Sequence, residues 1–559
     1  MRSQADPGIQ FFVSLNGNDQ WSGLLANPND NGSDGPFASL TRARDAVRKI
    51  RLMDNRTDGR SVVWVRGGVY RYKDPFLLTA EDSGTERSPV EYRAWLTEDV
   101  VFKGSCLLDP AKWQVSGNPA INEWIYPEWM PHHRDLGKEY EQIRKYHGID
   151  QADRRSWSDQ LFMNGRLIKQ VYNQADLQPY SFWLSAENEC ARLYLRLPAD
   201  EDPGEAMMEG SVAEQLIVGK GVKHILIKGF HLTQACNRVQ MSVLSLDSET
   251  EHCVLEDNKV SWTNGTGISI SGRDHLIRRN VSEYNSQNGI CGSRLKDTLF
   301  EYNITRMNNW NRPITATWES GGGKFADCDH VTLRYHEAAC NLGPGIWFDI
   351  DNKNITIEKC RAYHNNYCGI FFEISQGPVL IKDNWCFGND GAGILVAESN
   401  QAEVVNNTCA FNQYGINLRN MLGRSYRNVM VYKLGDINLS HNLFANNHTA
   451  GIVNSWEPID TKTQNIRSSD NVFYRNGTMV SWVVENKSTE SVAADDWGAV
   501  AAGGKPRRVD YDKLEDIQAK LGIEKGSYVK NPEFVYPQLY ELKSILEDEG
   551  IGASTLTKE

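Results

Sequence analysis

The sequence predicts an all-β chain built on a right-handed parallel β-helix, because two short motifs recur along its second half at nearly the same interval. Gly-Ile pairs begin at Gly267, Gly289, Gly345, Gly369, Gly393, Gly415 and Gly451, and the shorter steps between them are 22 to 24 residues. Asparagines follow short strand-like segments at Asn258, Asn280, Asn303, Asn384, Asn407, Asn442 and Asn471. The step is 22 or 23 residues from Asn258 to Asn280, from Asn280 to Asn303 and from Asn384 to Asn407. Coils of this length with Asn-rich turns are typical of a parallel β-helix. We expect these asparagines to hydrogen-bond along the stack.

The N-terminal part, residues 9–103, is predicted to supply the first strands and a capping helix. Phe11–Ser14 is apolar and runs into a turn. Leu40, Ala43, Val47 and Ile50 follow Ser39 at helical spacing, with Ser39 as the N-cap. Such a helix would cover the open end of a solenoid.

Residues 104–213 lack the repeat and are predicted to form an inserted antiparallel β domain, sandwich-like in form. Asn164-Gly165 separates two apolar runs, which is a strong hairpin signal. Ala191–Leu197 alternates between apolar and polar residues, as a half-buried strand does.

Residues 214–490 are predicted to form the β-helix with the active site, and 491–559 a short, partly helical tail. The gap of 56 residues between Gly289 and Gly345 indicates an insertion, as does the gap of 36 between Gly415 and Gly451. Insertions in solenoids become loops, often on the binding face. In the tail, Asp510 could cap a helix carrying Leu514, Ile517 and Leu521.

Asp349 and Glu373 are the candidate catalytic pair, because each lies four residues after its repeat glycine. Strand alternation puts Ile346, Phe348 and Ile350, and likewise Ile370, Phe372 and Ile374, on the inward face. Trp347 and Asp349, and Phe371 and Glu373, then face outward, one coil apart. Neighbouring strands lie about 4.8 Å apart, and retaining glycosidases use two carboxyl groups about 5–5.5 Å apart. The corresponding positions in the next coils are Ala397 and Arg419, so this is no long acidic ladder.

Three segments resemble the β-xylosidases of glycoside hydrolase family 120: Trp318-Glu319 before a glycine run, Gly345–Asp349 and Phe371–Pro378. The resemblance implies a retaining glycoside hydrolase that acts on xylo-oligosaccharides. It also implies that Asp349 is the nucleophile, Glu373 the acid/base, and Glu319 an auxiliary acid. Trp318, Trp347 and Phe371 are the candidate substrate-binding residues.

Several alternatives stay open on the sequence. Another β-helix glycosidase, such as a fucosidase or a xylanase-like enzyme, would use the same pair. A polysaccharide lyase or epimerase would need a basic residue, for which Arg361, Lys382 and Arg419 are nearby candidates. Asp349 with Asp351 could instead bind calcium, and a non-catalytic β-helix could simply bind carbohydrate.

The composition and net charge of the chain limit the classes of binding partner and the cellular locations that are compatible with it. The net charge is −12, and no dense basic run is present, which argues against nucleic-acid binding. No apolar run of membrane-spanning length occurs, and Met1–Gln4 does not begin a signal peptide. The 11 cysteines show no CxxC spacing. We therefore expect free thiols, a cytoplasmic location (a removed signal peptide is left open), and neither metal nor cofactor. The expected partner is the oligosaccharide substrate that the resemblance implies. Homo-oligomerisation is left open.

Overall fold

The computed structural model describes residues 8–54, 59–116, 122–129, 159–185, 191–311, 318–426, 430–485, 506–534 and 553. The chain divides into two compact units. The first unit comprises Met1–Leu246, Asp257–Ile268 and Asn285–Gln287, and the second comprises Asp247–Glu256, Ser269–Tyr284 and Asn288–Glu559. Regular structure in the described residues is almost entirely β-strand. The α-helices there are Leu40–Asp54 and Leu514–Leu521, with short 3₁₀ turns at Ala80–Asp82, Pro110–Lys112 and Gln174–Asp176.

Short parallel strands form three rows in the first unit. The first row contains Ile9–Val13, Ser61–Val65, Val90–Ala94 and Ile225–Lys228; the second contains Phe76–Leu78, Ile217–Gly219 and Ser242–Leu246; the third contains Gly68–Arg71, Val100–Lys103, Phe230–Thr233 and Lys259–Ser261. The helix Leu40–Asp54 packs on the first two strands of the first row. Ser39 Oγ accepts a hydrogen bond from the Arg42 amide at 3.1 Å, which confirms the predicted N-cap.

The insertion is a single curled sheet of eight strands. Its order is Ser105–Leu107, Met208–Ser211, Leu161–Met163, Arg166–Gln170, Ser181–Leu184, Ala191–Arg196, Glu123–Trp129 and Gln114–Val115. The predicted hairpin is present: Met163 pairs with Arg166, and Asn164 and Gly165 have φ of 51° and 79°. All pairings are antiparallel except that of Arg166–Gln170 with Ser181–Leu184, which joins the strands into one sheet instead of a two-sheet sandwich.

In the second unit, three rows of parallel strands form the coils of a parallel β-helix. The first row contains Ile290–Glu301, Lys324–Ala326, Ile346–Asp349, Ile370–Glu373, Ala392–Ala397, Tyr414–Asn420, Ala450–Trp456 and Thr478–Glu485. The second contains Val254–Glu256, Leu276–Arg278, the end of Ile290–Glu301, Asp329–Arg334, Lys353–Glu358, Val379–Lys382, Asn400–Val405, Gly435–Ser440 and Ile466–Ser469. The third contains Val281–Glu283, Ile304–Arg306, Glu337–Ala339, Arg361–Tyr363, Trp385–Phe387, Thr408–Ala410, Leu443–Ala445, Val472–Tyr474 and Tyr528–Val529.

The core of the second unit is the inside of these coils. Phe348 and Phe372 are completely buried there, and Phe325 stacks on Phe348 with ring centroids 4.7 Å apart. The inward positions are therefore those that strand alternation predicts.

Stacked asparagines satisfy the backbone at the turns between the rows. Asp383 is left-handed, with φ of 58°, and Asn384 follows it. Asn384 Nδ2 donates to the Ile357 carbonyl at 2.9 Å and to Asn407 Oδ1 at 2.9 Å, and Asn384 Oδ1 accepts from the Cys360 amide at 2.9 Å. The predicted ladder is therefore confirmed. A second ladder, not predicted, runs through Asn308, Asn341, Asn365, Asn389, Asn412 and Asn447.

The tail covers the last coil. Arg507–Tyr511 pairs antiparallel with Thr478–Glu485, and Tyr528–Val529 extends the third row. The predicted helix forms as Leu514–Leu521, but Lys513 is its N-cap, because Asp510 belongs to the preceding strand. The sequence also predicts a linker at residues 493–496 and 503–506, of which all but Pro506 lie outside the described residues. The four domain boundaries stay predictions.

No helix in the part of the chain that the structure describes is long and apolar enough to cross a membrane. The ten cysteines in that part are all free thiols.

Candidate active site

The backbone register of the first row brings Asp349 and Glu373 together. The parallel strands Ile346–Asp349 and Ile370–Glu373 pair residue for residue, with Asp349 directly opposite Glu373 and Trp347 opposite Phe371. Ala397 and Arg419 continue the Asp349–Glu373 ladder in the next two strands. Asp349 is 5% exposed and Glu373 1%, so both carboxyl groups lie in a largely desolvated environment.

Lys324 holds one oxygen of Asp349. Its ammonium group is 2.7 Å from Asp349 Oδ2, forms a second ion pair with Glu319, and lies 4.3 Å from the centroid of the Trp347 ring. The other oxygen, Asp349 Oδ1, has no hydrogen-bond partner among the described residues, and neither has the Trp347 indole nitrogen. A buried polar atom without a partner costs about 1–3 kcal/mol. These two atoms, an acceptor and a donor on one strand, are therefore suited to a polar ligand.

Arg419 holds Glu373 in a similar way. Its Nη2 atom contacts Glu373 Oε1, and the same nitrogen is 2.8 Å from Glu398 Oε2. Arg419 Nε also donates to Glu398 at 3.2 Å. Arg424, from the loop that follows Asn420, approaches Glu373 Oε1 to 3.9 Å.

The environment raises the pKa of the Asp349 carboxyl to about 7. Burial is the main cause, the Lys324 charge opposes it, and the neighbouring Glu373 carboxylate adds to it. Burial by itself would lower the pKa of Lys324, but Asp349 and Glu319 outweigh burial and raise it. The ammonium group therefore stays charged.

Burial also raises the pKa of Glu398, against the effect of Arg419. The pKa of Arg419 is raised well above its usual value, because Glu398 and Glu373 outweigh the effect of burial. Arg419 is thus a permanent cation between two buried carboxyl groups.

Carboxyl groups outnumber cations in this cluster. Among the described residues of the cluster, the carboxyl groups are Glu319, Asp349, Glu373 and Glu398, and the cations are Lys324, Arg419 and Arg424. Each cation contacts at least one of the carboxyl groups. This set of described residues therefore holds one more carboxyl group than cations.

The predicted aromatic residues are placed differently from expectation. Trp347 and Phe371 stack with centroids 5.1 Å apart and are at most 2% exposed, so the expected open outward face is wrong. Lys324 covers the Trp347 ring, and Arg419 lies 5.5 Å from the Phe371 ring centroid. Trp318 is half-buried and precedes Glu319. The role of all three in substrate binding stays a prediction.

The alternation of inward and outward side chains along the strand ends at Asp349. Ile350 and Asp351 are left-handed, with φ of 64° and 55°, and Ile350 is only half-buried, so its predicted place in the core is wrong. Asp351 is exposed and accepts a hydrogen bond from the Tyr432 hydroxyl at 2.6 Å. Lys324 pairs with Asp349 Oδ2 at 2.7 Å, so a calcium ion bound by this carboxylate would be repelled by the neighbouring ammonium group. No group of three or more His, Cys, Asp or Glu side chains suited to a metal ion occurs in the described ranges.

Of the three basic candidates for a lyase or epimerase, the contacts bring Arg419 into the cluster. Lys382 pairs with Glu358 at 3.1 Å on the second row, and Arg361 lies over the Tyr363 ring on the third row. Both therefore contact strands other than those carrying the carboxyl pair.

Sequence reasoning missed Lys324, Glu398 and the place of Arg424. Lys324 directly follows the glycine run and is the register partner of Trp347, so aligning Gly322–Phe325 with Gly345–Phe348 would have found it. Glu398 comes one residue after the ladder position of Ala397, at a left-handed residue with φ of 42°, and periodicity gives no signal for it. Arg424 belongs to the predicted insertion, but its direction depends on the loop.

Comparisons with known proteins agree with this fold. Residues 243–409 match a family model described as the right handed beta helix region, which confirms the predicted handedness. A search of curated proteins finds no match.

Three solved structures illustrate the similarity. The structure of XylC in complex with xylose has 16% sequence identity and a TM-score of 0.64, with 99% of each chain covered. A structure described as a glycoside hydrolase has 13% identity and a TM-score of 0.44, covering 85% of this chain and 95% of that one. The A-module of the Azotobacter vinelandii mannuronan C-5 epimerase AlgE6 has 11% identity and a TM-score of 0.47, covering 88% and 96%. At these identities the likeness is one of fold, and the chain is a mostly β protein of the architecture that carbohydrate-active enzymes use.

Proposed function

We propose that the protein is a retaining glycoside hydrolase that cleaves β-xylosides in xylo-oligosaccharides. The observation that carries the proposal is the buried pair Asp349/Glu373, directly opposed on adjacent strands, with Asp349 Oδ1 free of hydrogen bonds to the described residues. A separation of one strand is about 4.8 Å, close to the spacing of retaining enzymes and shorter than the range of about 6.5–9.5 Å that inverting enzymes need for a water molecule.

Asp349 is the nucleophile in this proposal. Lys324 fixes Oδ2, so the carboxylate has one orientation, and Oδ1 remains to attack the anomeric carbon. The covalent glycosyl–Asp349 ester then forms as the bond to the leaving oxygen breaks.

Glu373 is the acid/base. Arg419 and Arg424 both approach Oε1, which leaves Oε2 to carry the proton to the leaving oxygen. In the second step the same oxygen takes a proton from the water that attacks the ester. Burial raises the pKa of the Asp349 carboxyl to about 7, so this carboxyl is only partly ionised near neutral pH before substrate binds. Glu319 acts through Lys324.

The choice of xyloside rests on the resemblance to family 120 and on the similarity in fold to XylC, whose structure contains xylose. The charge balance of the cluster supports a neutral sugar and weighs against the lyase and epimerase alternatives, whose substrates are uronates.

The test is a panel of nitrophenyl glycosides, read by released phenol, followed by proton NMR of the first-formed anomer of the best substrate. We expect hydrolysis of the β-xyloside with net retention. A deoxyfluoro xyloside with a good leaving group should accumulate on the enzyme, and peptide mass spectrometry should place the label on Asp349.

Inverted product, or a label on another carboxylate, would contradict the mechanism. Activity on another glycoside of the panel would change the substrate only. The substitution Asp349→Asn removes the proposed nucleophile, and Asp383→Asn is its matched control. Asp383 lies at a turn between the second and third rows and accepts a hydrogen bond from Asn406.

A further inference from the structure

Glu398 is a buried carboxyl group that contacts the same arginine, Arg419, as the proposed acid/base Glu373. It is fully buried, and its two oxygens accept hydrogen bonds from Arg419 and from the backbone amide of Met421, the latter at 3.0 Å. Arg419 Nη2 contacts Glu398 and Glu373 at once. The two carboxyl groups therefore share one guanidinium group.

We propose that Glu398 is a positioning residue that takes up part of the charge of Arg419 and so keeps Glu373 able to hold the catalytic proton. This inference rests on the proposed function of Glu373. A buried guanidinium paired with Glu373 alone would favour the carboxylate form, which cannot act as an acid. A second carboxylate on the same cation removes much of that bias.

Several charged and titratable groups among the described residues contact Glu373 or act on it electrostatically and enter this balance. They are Asp349 on the preceding strand, Arg419 and Glu398 from the following coils, Arg424 from the loop, and Tyr367 and Cys368 before the strand. Burial raises the pKa of Tyr367 to about 12 and that of Cys368 well above its usual value, so both stay neutral in the working range. The balance is thus decided by Asp349, Glu398 and the two arginines.

The substitution Glu398→Gln gives a signed prediction. It keeps the shape of the side chain, removes a negative charge near Glu373, and leaves Arg419 without its second counter-charge. Both effects favour the carboxylate form of Glu373. Two charges about 5 Å apart in a partly desolvated site interact strongly enough to move a titration by at least about one pH unit.

The experiment measures the pH profile of kcat/KM for the wild-type protein, Glu398→Gln, Glu398→Asp and the control Glu403→Gln. Glu403 is an exposed glutamate of the second row that binds Asn438. Each protein is assayed with phenyl β-xyloside, whose leaving group needs protonation, and with dinitrophenyl β-xyloside, whose leaving group does not.

For Glu398→Gln we expect the alkaline limb with phenyl β-xyloside to move to lower pH by at least about one pH unit. With dinitrophenyl β-xyloside the loss at neutral pH should be at least tenfold smaller than with the phenyl substrate. Glu398→Asp, which keeps the charge, should have an alkaline limb closer to that of the wild type, and Glu403→Gln should not change it.

A purely structural role for Glu398 predicts the reverse order. The isosteric Gln would then be tolerated better than the shorter Asp, and any loss would be equal for both substrates. Either result would overturn the proposal. If Glu398→Gln does not fold, Glu398→Asp still decides, because a folded Asp variant with a strongly shifted limb contradicts charge sharing.

A measurement without turnover separates this inference from the function on which it rests. Carbon-13 NMR of glutamate labelled at the side-chain carboxyl follows the titration of Glu373, with Glu373→Gln identifying its signal. We expect the midpoint of Glu373 to fall in Glu398→Gln. An unchanged midpoint overturns charge sharing even if the enzyme cleaves xylosides, whereas a lowered midpoint in a protein that cleaves no glycoside supports it and rejects the proposed function.

Discussion

Asp349→Asn should make the protein more stable at neutral pH, and the size of the effect follows from the position of the carboxyl group. The pKa of Asp349 is raised from 3.8 to about 7, mainly by burial. The folded state therefore holds this proton more tightly than the unfolded state does. The stability that the group contributes is fully present below about pH 4 and is lost as pH rises to about 7.

The magnitude is about 4 kcal/mol, since about three pH units separate the two values and each is worth about 1.4 kcal/mol. Unfolding entropies of about 2.1 cal/mol/K per residue imply about 1.2 kcal/mol/K for the whole chain. The wild type should thus lose about 3 °C in Tm relative to the variant between pH 4 and pH 7, and more if the second unit unfolds by itself.

Differential scanning calorimetry of both proteins from pH 4 to pH 8 is the assay. The Tm difference should be near zero at pH 4, where Asp349 is protonated and resembles Asn, and should favour the variant at pH 7 and above. Asp383→Asn, at a turn between the second and third rows, should show no such pH dependence. A Tm difference that is independent of pH, or one that favours the wild type at pH 8, would refute the argument that burial dominates at Asp349.

Three further outcomes are expected. Glu373→Ala should be crippled on phenyl β-xyloside and much less on dinitrophenyl β-xyloside, and added azide should yield a glycosyl azide of retained configuration; an inverted azide would exchange the roles of the two carboxylates. Lys324→Met should lower turnover at least about a hundredfold and destabilise the fold by about 3–5 kcal/mol, because it leaves Asp349 and Glu319 without their cation. An active and equally stable variant would contradict the role of Lys324 in holding the Asp349 carboxylate. Asn389→Ala removes hydrogen bonds to Asn365 and Asn412 of the second ladder and to the Ala362 carbonyl and should cost about 3 kcal/mol in thermal unfolding, whereas Asn366→Ala, at an exposed position, should cost less than about 0.5 kcal/mol; equal losses would contradict a structural role for the ladder.

The outline of the fold could be predicted because each coil repeats similar residue types at similar positions in the sequence. Each coil needs an inward apolar residue, a turn and an asparagine at fixed positions, so the period survives in the chain. The second asparagine ladder likewise repeats from coil to coil, so its positions were also accessible from the sequence. The joining of the insertion into one sheet depends on the pairing of Lys169 and Gln170 with Ser181 and Phe182, which no local pattern reveals.

In the candidate site, too, some features could be predicted from the repeat and others could not. Counting residues from the glycines was enough to oppose Asp349 and Glu373, because parallel strands in register keep equal offsets. The count failed one residue later, at Ile350, where a left-handed turn ends the strand and with it the alternation. Lys324 lay within reach of the same counting, while Arg424 depended on a loop.

The sequence by itself determined the β-helix, its insertions and the opposed carboxyl pair, because these follow from periodic contacts between neighbouring coils. Only the tertiary structure decided the charges on that pair. Lys324 and Arg419 lie at positions that the repeat places near the pair, whereas Glu398 and Arg424 lie at positions that follow no period, and the contacts of all four depend on how their side chains pack. Burial, which raises the pKa of Asp349 to about 7, likewise depends on everything that covers the strand. Electrostatic interactions in a desolvated site depend on distance in space, and a sequence fixes that distance only where its repeat does.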